Sequence, residues 1–104
     1  MEPLEIFLKE LRPLLVRCGA RAAYLFGSHA QGGADEHSDI DVIVVAPTRR
    51  PPVERFRDYL PAILAAGVGV DLFVYTPEEF EALREEGRPF LTHALENARL
   101  VYEG

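Results

Sequence analysis

Two short apolar runs and the polar stretch between them constrain this chain most. Tyr24-Leu25-Phe26 runs into Gly27-Ser28. Ten residues later Asp39-Ile40-Asp41 opens the run Val42-Ile43-Val44-Val45. Successive strand side chains alternate between faces, so Asp39 and Asp41 share one face, their Cα atoms roughly 6.6–6.8 Å apart. At that spacing two carboxylates can converge on a pair of Mg²⁺ ions, which sit ~3.5–4 Å apart in two-metal sites. Carboxylate and phosphate oxygens are the hard ligands that Mg²⁺ prefers. The pattern reads as a metal-dependent nucleotide site.

Neither half says this alone. Gly-Ser reads equally well as a turn with a helix cap, and Asp-x-Asp as a solvated strand entry. The third element is Asp71, between Val70 and Leu72 in a later apolar run. A lone aspartate inside a buried run should pair or ligate, and no Lys or Arg lies within five residues of it. Asp39, Asp41 and Asp71 are therefore candidate metal ligands. Gly27 and Ser28 are candidates to hold phosphate at a helix N-terminus. His29, directly after Ser28, is a candidate for contact with phosphate or base.

The rest of the chain reads as alternating helices and strands. Pro3 opens an amphipathic helix over 3–18, with an expected kink at Pro13. A strand over 21–26 follows, then a short helix in which Ser28 and Gln31 are expected to form a capping box. Strand 39–46 is apolar on both faces beyond its aspartates, which marks a central strand. A helix over 52–66, split or kinked at Pro61, is expected to turn Val53, Phe56, Leu60, Ile63 and Leu64 inward. Strand 68–75 reads as apolar on both faces except at Asp71. Thr76-Pro77-Glu78-Glu79 is an N-cap, an N1 proline and an acidic first turn. A helix to about 86, a short helix from Pro89 and an edge strand over 99–102 complete the chain. The expected class is α/β (α+β), a small mixed sheet flanked by helices.

One domain spanning 1–104 is the default for 104 residues. The apolar runs are too short for a membrane span, the acidic N-terminus lacks the basic region of a signal peptide, and the single cysteine, Cys18, can form no internal disulfide. A cytoplasmic location is expected, with no membrane partner. The net charge of −6 and the single adjacent basic pair, Arg49-Arg50, weigh against tracking a long nucleic acid, which calls for a basic face. A small anionic ligand held through metals remains compatible. No His-x-x-x-His or Cys pattern points to zinc.

Gly27-Ser28, ten residues, Asp39-x-Asp41 and the third carboxylate Asp71 together resemble the DNA polymerase β-like nucleotidyltransferase superfamily, and the short length resembles its minimal nucleotidyltransferase group. The resemblance implies a mixed sheet flanked by helices. It implies two Mg²⁺ ions and ATP or another nucleoside triphosphate, with transfer of a nucleoside monophosphate (AMP from ATP) to a hydroxyl and release of pyrophosphate. It implies Asp39 and Asp41 as metal ligands, Asp71 as third ligand and activator of the acceptor hydroxyl, and Gly27 and Ser28 at the triphosphate. Relatives often carry a basic residue where Gln31 stands. Glutamine can donate a hydrogen bond there but cannot neutralise phosphate. No stretch reads as an acceptor-binding domain, so the acceptor is expected on a partner or on a second copy in a homodimer. Many minimal nucleotidyltransferases resemble antitoxins that adenylylate a helical HEPN-domain toxin. The competing expectation is a nucleotide-binding or toxin-masking subunit without turnover.

Overall fold

The computed structural model describes residues 1–104. The elements, in chain order, are α1 (Pro3–Arg17), β1 (Ala22–Phe26), α2 (Ser28–Gln31), β2 (Ile40–Val45), a 3₁₀ helix (Pro52–Tyr59), α3 (Leu60–Ala65), β3 (Val70–Tyr75), α4 (Pro77–Glu86), α5 (Pro89–Leu95) and β4 (Arg99–Glu103). The four strands form one sheet in the order β3-β2-β1-β4. β1 pairs antiparallel with β2 and β4, and β2 pairs parallel with β3. A parallel pair needs a crossover, and the 3₁₀ helix with α3 supplies it. The mixed sheet flanked by helices is the α+β architecture expected from the sequence. No helix is long and apolar enough to cross a membrane.

Each face of the sheet has its own core, as strand alternation requires. Ala23, Leu25, Ile40, Val42 and Val44 pack with Phe7, Leu11 and Leu15 of α1 and Ala62 of α3. On the other face Ile43 and Val45 pack against Phe80 of α4 and Leu91 and Ala94 of α5. β2 is buried on both faces, as a central strand should be.

Several local expectations change. α1 continues through Pro13, which lies on its exposed side, because losing one backbone donor there is outweighed by the burial of Phe7, Leu11, Leu14 and Leu15. The 52–66 segment does divide, but at Tyr59/Leu60, with a 3₁₀ first half. Three residues per turn in place of 3.6 rotates the inward face. Arg55, Tyr59, Ala62 and Ala66 are buried, while Val53, Phe56 and Leu64 are exposed.

β3 is not a doubly covered strand. It lies at the sheet edge, with Val70, Leu72 and Val74 half-buried toward α1 and α3 while Asp71 and Phe73 are exposed on the other face. Its free side is closed near the C-terminal end by Arg55. There Nη1 donates to the Val74 carbonyl at 3.1 Å and Nε to the Arg50 carbonyl at 3.1 Å, while Nη1 and Nη2 grip Glu79 at 2.6 and 3.1 Å. Glu79 in turn completes a capping box with Thr76 at the start of α4.

Candidate functional site

Strand register brings the carboxylates to one end of one sheet face. Asp41 stands opposite Phe26 at the end of β1 and beside Asp71 at the start of β3. Asp39 lies on the same face, just before β2. These three side chains lie on the α4/α5 face, below the part that those helices cover. Asp41 is half-buried, whereas Asp39 and Asp71 are exposed. The expectation of a buried Asp71 is thus reversed, because the strand ends at the sheet edge.

Asp41 is the hub. Burial pushes its carboxyl above the ordinary range, and its hydrogen bond to Asp71 with the charges of Asp71 and Asp39 pushes the same way, while His29 opposes them. A half-buried carboxylate with a second one beside it is expected to behave so. Two glycines make room for the cluster. A Cβ on Gly27 would collide with Asp41 Oδ2, and one on Gly69 would lie 2.5 Å from Asp39 Oδ1. Gly27 also has φ 72° and ψ −154°, a conformation essentially confined to glycine. No three His, Cys, Asp or Glu side chains close into a group that could hold a metal ion. Asp39 turns over Gly69 while Asp41 leans on Gly27 and Asp71. The three share a face without converging on one point.

The loop between the two motifs is differently built from the expectation. Gly27 takes the N-cap position of α2, and its carbonyl accepts from the Ala30 and Gln31 amides at 3.1 and 3.2 Å. Ser28 therefore falls inside the first turn, exposed, and the Ser28–Gln31 capping box does not form. Gln31 is exposed at the end of α2. His29 instead turns toward the strand entry, its Nε2 at 3.2 Å from the Ser38 carbonyl oxygen, and so ties α2 to the residue before Asp39. Asp35 was not singled out from the sequence. Its Oδ1 accepts from the His37 amide at 2.8 Å and the Ser38 hydroxyl at 3.3 Å, closing a tight turn. The His37 amide is the main reason its carboxyl lies below the usual range. The sequence signal for it is an Asx residue two positions before the amide that donates to it.

The largest concavity, about 540 Å³, lies elsewhere, at the opposite end of β1 and β2, lined by Arg21, Tyr24, Val45, Phe80 and Arg84 among others. Three carboxylates on an open face need no deep cavity to meet a charged ligand, so chemistry locates this site better than volume does.

A mixed sheet with Gly-Ser at the end of β1 and carboxylates on β2 and on β3 beyond it defines a nucleotidyltransferase fold. The chain belongs to the nucleotidyltransferase domain family, whose sequence model matches residues 4–85. It is similar in fold to a chain of a toxin–antitoxin crystal structure with AMP-PNP (TM-score 0.66, 23% identity, 93% of this chain and 73% of that one). It is also similar to a protein described as a minimal nucleotidyltransferase (TM-score 0.64, 27% identity, 95% of each chain). A third likeness is to a protein from Sulfolobus solfataricus described as a nucleotidyltransferase (TM-score 0.57, 18% identity, 99% of this chain and 88% of that one). No curated protein matches the chain.

Proposed function

We propose that this chain is a Mg²⁺-dependent nucleotidyltransferase that moves a nucleoside monophosphate, AMP from ATP, onto a hydroxyl of a partner protein. The observation that carries the reading is Asp41, set between Gly27 and Asp71 on the same face as Asp39. The donor set suits hard cations, and Asp41, half-buried beside Asp71, is a carboxylate whose charged form a cation would favour. Asp41 would hold the metal together with Asp39 and Asp71, whose exposed side chains must turn inward from their present positions to reach it, and the metal when bound would neutralise the triphosphate. Gly27 and Ser28 would seat the triphosphate, with His29 holding α2 against the strand entry. Gln31 is a further candidate at the phosphates. The acceptor oxygen bonds to the α-phosphorus, the bond to the β-phosphate oxygen breaks, pyrophosphate leaves, and the hydroxyl proton passes to Asp71.

Asp71 is exposed on the outermost strand, where an acceptor carried by another molecule can reach it. The toxin–antitoxin neighbour supports a partner protein; in this reading the partner is an HEPN-type toxin, met in the cytoplasm where ATP and Mg²⁺ are at hand. A second copy of this chain is the other source of acceptor. One observation favours the non-catalytic reading: exposed Gln31 brings no cation to the phosphates. Incubation with Mg²⁺, each labelled triphosphate and the protein encoded beside this one decides between them by intact mass. Transfer adds one nucleoside monophosphate to the partner. Stoichiometric nucleotide binding without an adduct makes the chain a binding or masking subunit.

Gly69→Ala gives an independent check. Gly69 lacks a positive φ, so the change should leave the melting temperature equal or slightly higher through unfolded-state entropy. Its Cβ must nevertheless displace the Asp39 carboxylate. The expected result is unchanged stability with Mg²⁺-ATP affinity lowered about tenfold, read by calorimetry, as one misplaced ligand costs. Unchanged affinity would remove Asp39 from the site.

A further inference from the structure

Beyond the carboxylates the same sheet face carries three phenylalanines from three elements. Phe26 ends β1 opposite Asp41, and Phe73 stands two residues past Asp71 on β3. Phe90 reaches over from α5. Their ring centroids are 6.2 Å apart for Phe26–Phe73, 6.0 Å for Phe26–Phe90 and 5.1 Å for Phe73–Phe90. These are ordinary distances for aromatic packing, yet the cluster is not sealed. Phe73 is 37% exposed and Phe90 47%. Beside it Ile43, on the strand between Phe26 and Phe73, is fully buried, so the gap over the central strand is filled and the rings form a shelf rather than a hole.

We propose that the exposed faces of Phe73 and Phe90, backed by Phe26, are the surface on which the purine base of the nucleoside triphosphate stacks. The inference rests on the reading of the carboxylates as the triphosphate's site. Two residues of strand place Phe73 roughly 6.6–6.8 Å beyond Asp71, a span comparable to the ribose that separates a base from its α-phosphate. With the phosphates toward Gly27 and the α-phosphorus at the carboxylates, the rings are the next surface along β3 toward α5. The three rings present no hydrogen-bonding atom. The shelf therefore favours large π-faces, purines over pyrimidines, and does not itself separate adenine from guanine.

The test compares Mg²⁺-ATP with Mg²⁺-tripolyphosphate, which lacks base and ribose, by calorimetry on the wild type, Phe73→Ala and Phe90→Ala. ATP should bind the wild type about ten- to a hundredfold more tightly than tripolyphosphate. Each variant should lose most of that preference while holding tripolyphosphate within about twofold. Phe73→Leu keeps apolar volume but not the flat ring, and should show the same loss if Phe73→Ala folds poorly. Variants that retain the ATP preference overturn the shelf, as does a Phe90→Ala that binds ATP normally but transfers poorly to the acceptor, which would assign the rings to the acceptor instead. A wild type that binds neither ligand overturns the carboxylate reading as well, a result distinct from all the others.

Discussion

Asp71→Asn is expected to bind Mg²⁺-ATP within a few-fold of wild type and to transfer nucleotide about 10²–10⁴ times more slowly, the range over which a positioned general base contributes. The change keeps size and hydrogen-bonding capacity, and Asp39 and Asp41 remain for the metal. Asp71 is the exposed member of its pair, at the sheet edge, so it can meet a hydroxyl that arrives from outside. Asp41 is the enclosed member, half-buried against Gly27 and beside Asp71 on the neighbouring strand. Asp41→Asn should therefore damage nucleotide affinity and transfer together, the latter by about 10²–10³ as for loss of one charge-stabilising group. Without metal it should melt no lower than wild type, because it removes repulsion, and it should lose the upward shift that Mg²⁺ gives the wild type, about 2.7 kcal/mol at a hundredfold excess over Kd. Calorimetric affinity and single-turnover transfer of labelled nucleotide separate the two roles. Wild-type transfer by Asp71→Asn would mean that Asp71 is not the base.

The candidate site was legible because its geometry is local. Gly27 and the Asp39-x-Asp41 alternation are fixed by backbone rules that act over a few residues, and a reading of those residues places the two carboxylates on one face. The capping role given to Ser28 failed for an equally local reason. Gly27 can adopt φ 72°, so it takes the cap position itself and moves Ser28 into the helix. Asp71 was legible as an oddity but not in its surroundings, since Val-Asp-Leu-Phe-Val reads the same in the middle of a sheet and at its edge. The strand order decides that, and no residue of β3 encodes it. The aromatic shelf was invisible for a related reason: Phe26, Phe73 and Phe90 are far apart in sequence and meet only when α5 folds back over β1. Val53 and Phe56 face inward only if 3.6 residues per turn are counted through a segment that is 3₁₀.

That same segment hid Arg55, which an apolar-periodicity reading passes over, and whose replacement should have the largest effect on stability. Its side chain is 9% exposed, and it makes four hydrogen bonds to Arg50, Val74 and Glu79. In the parallel ladder the Gly69 and Tyr75 carbonyls face β2, so by alternation the Val74 carbonyl faces the free edge, where Arg55 satisfies it. Glu79 closes the cap of α4, so one guanidinium joins the 3₁₀ helix, the sheet edge and α4. Arg55→Ala leaves the carbonyls of Val74 and Arg50 without their charged donor and removes a packed stem. Glu79 is 41% exposed on its side chain and can turn to water, so its share of the loss is reduced by solvent. The expected cost is about 2–3 kcal/mol, a fall in Tm of roughly 10–20 °C for a domain of this size. Arg55→Met should recover the part due to packing and none of the rest. Acid should expose the remaining component. Arg55 foremost holds the Glu79 carboxyl below its ordinary range, so the stabilisation is present above the unfolded-state value and is lost as pH falls through the lower folded-state value. Wild type should thus lose stability more steeply than Arg55→Met across the acid side of pH 4.5. Denaturant melts of both proteins from neutral pH into that range make the comparison, and parallel curves would show that the Arg55–Glu79 pair contributes nothing beyond the hydrogen bonds to the backbone.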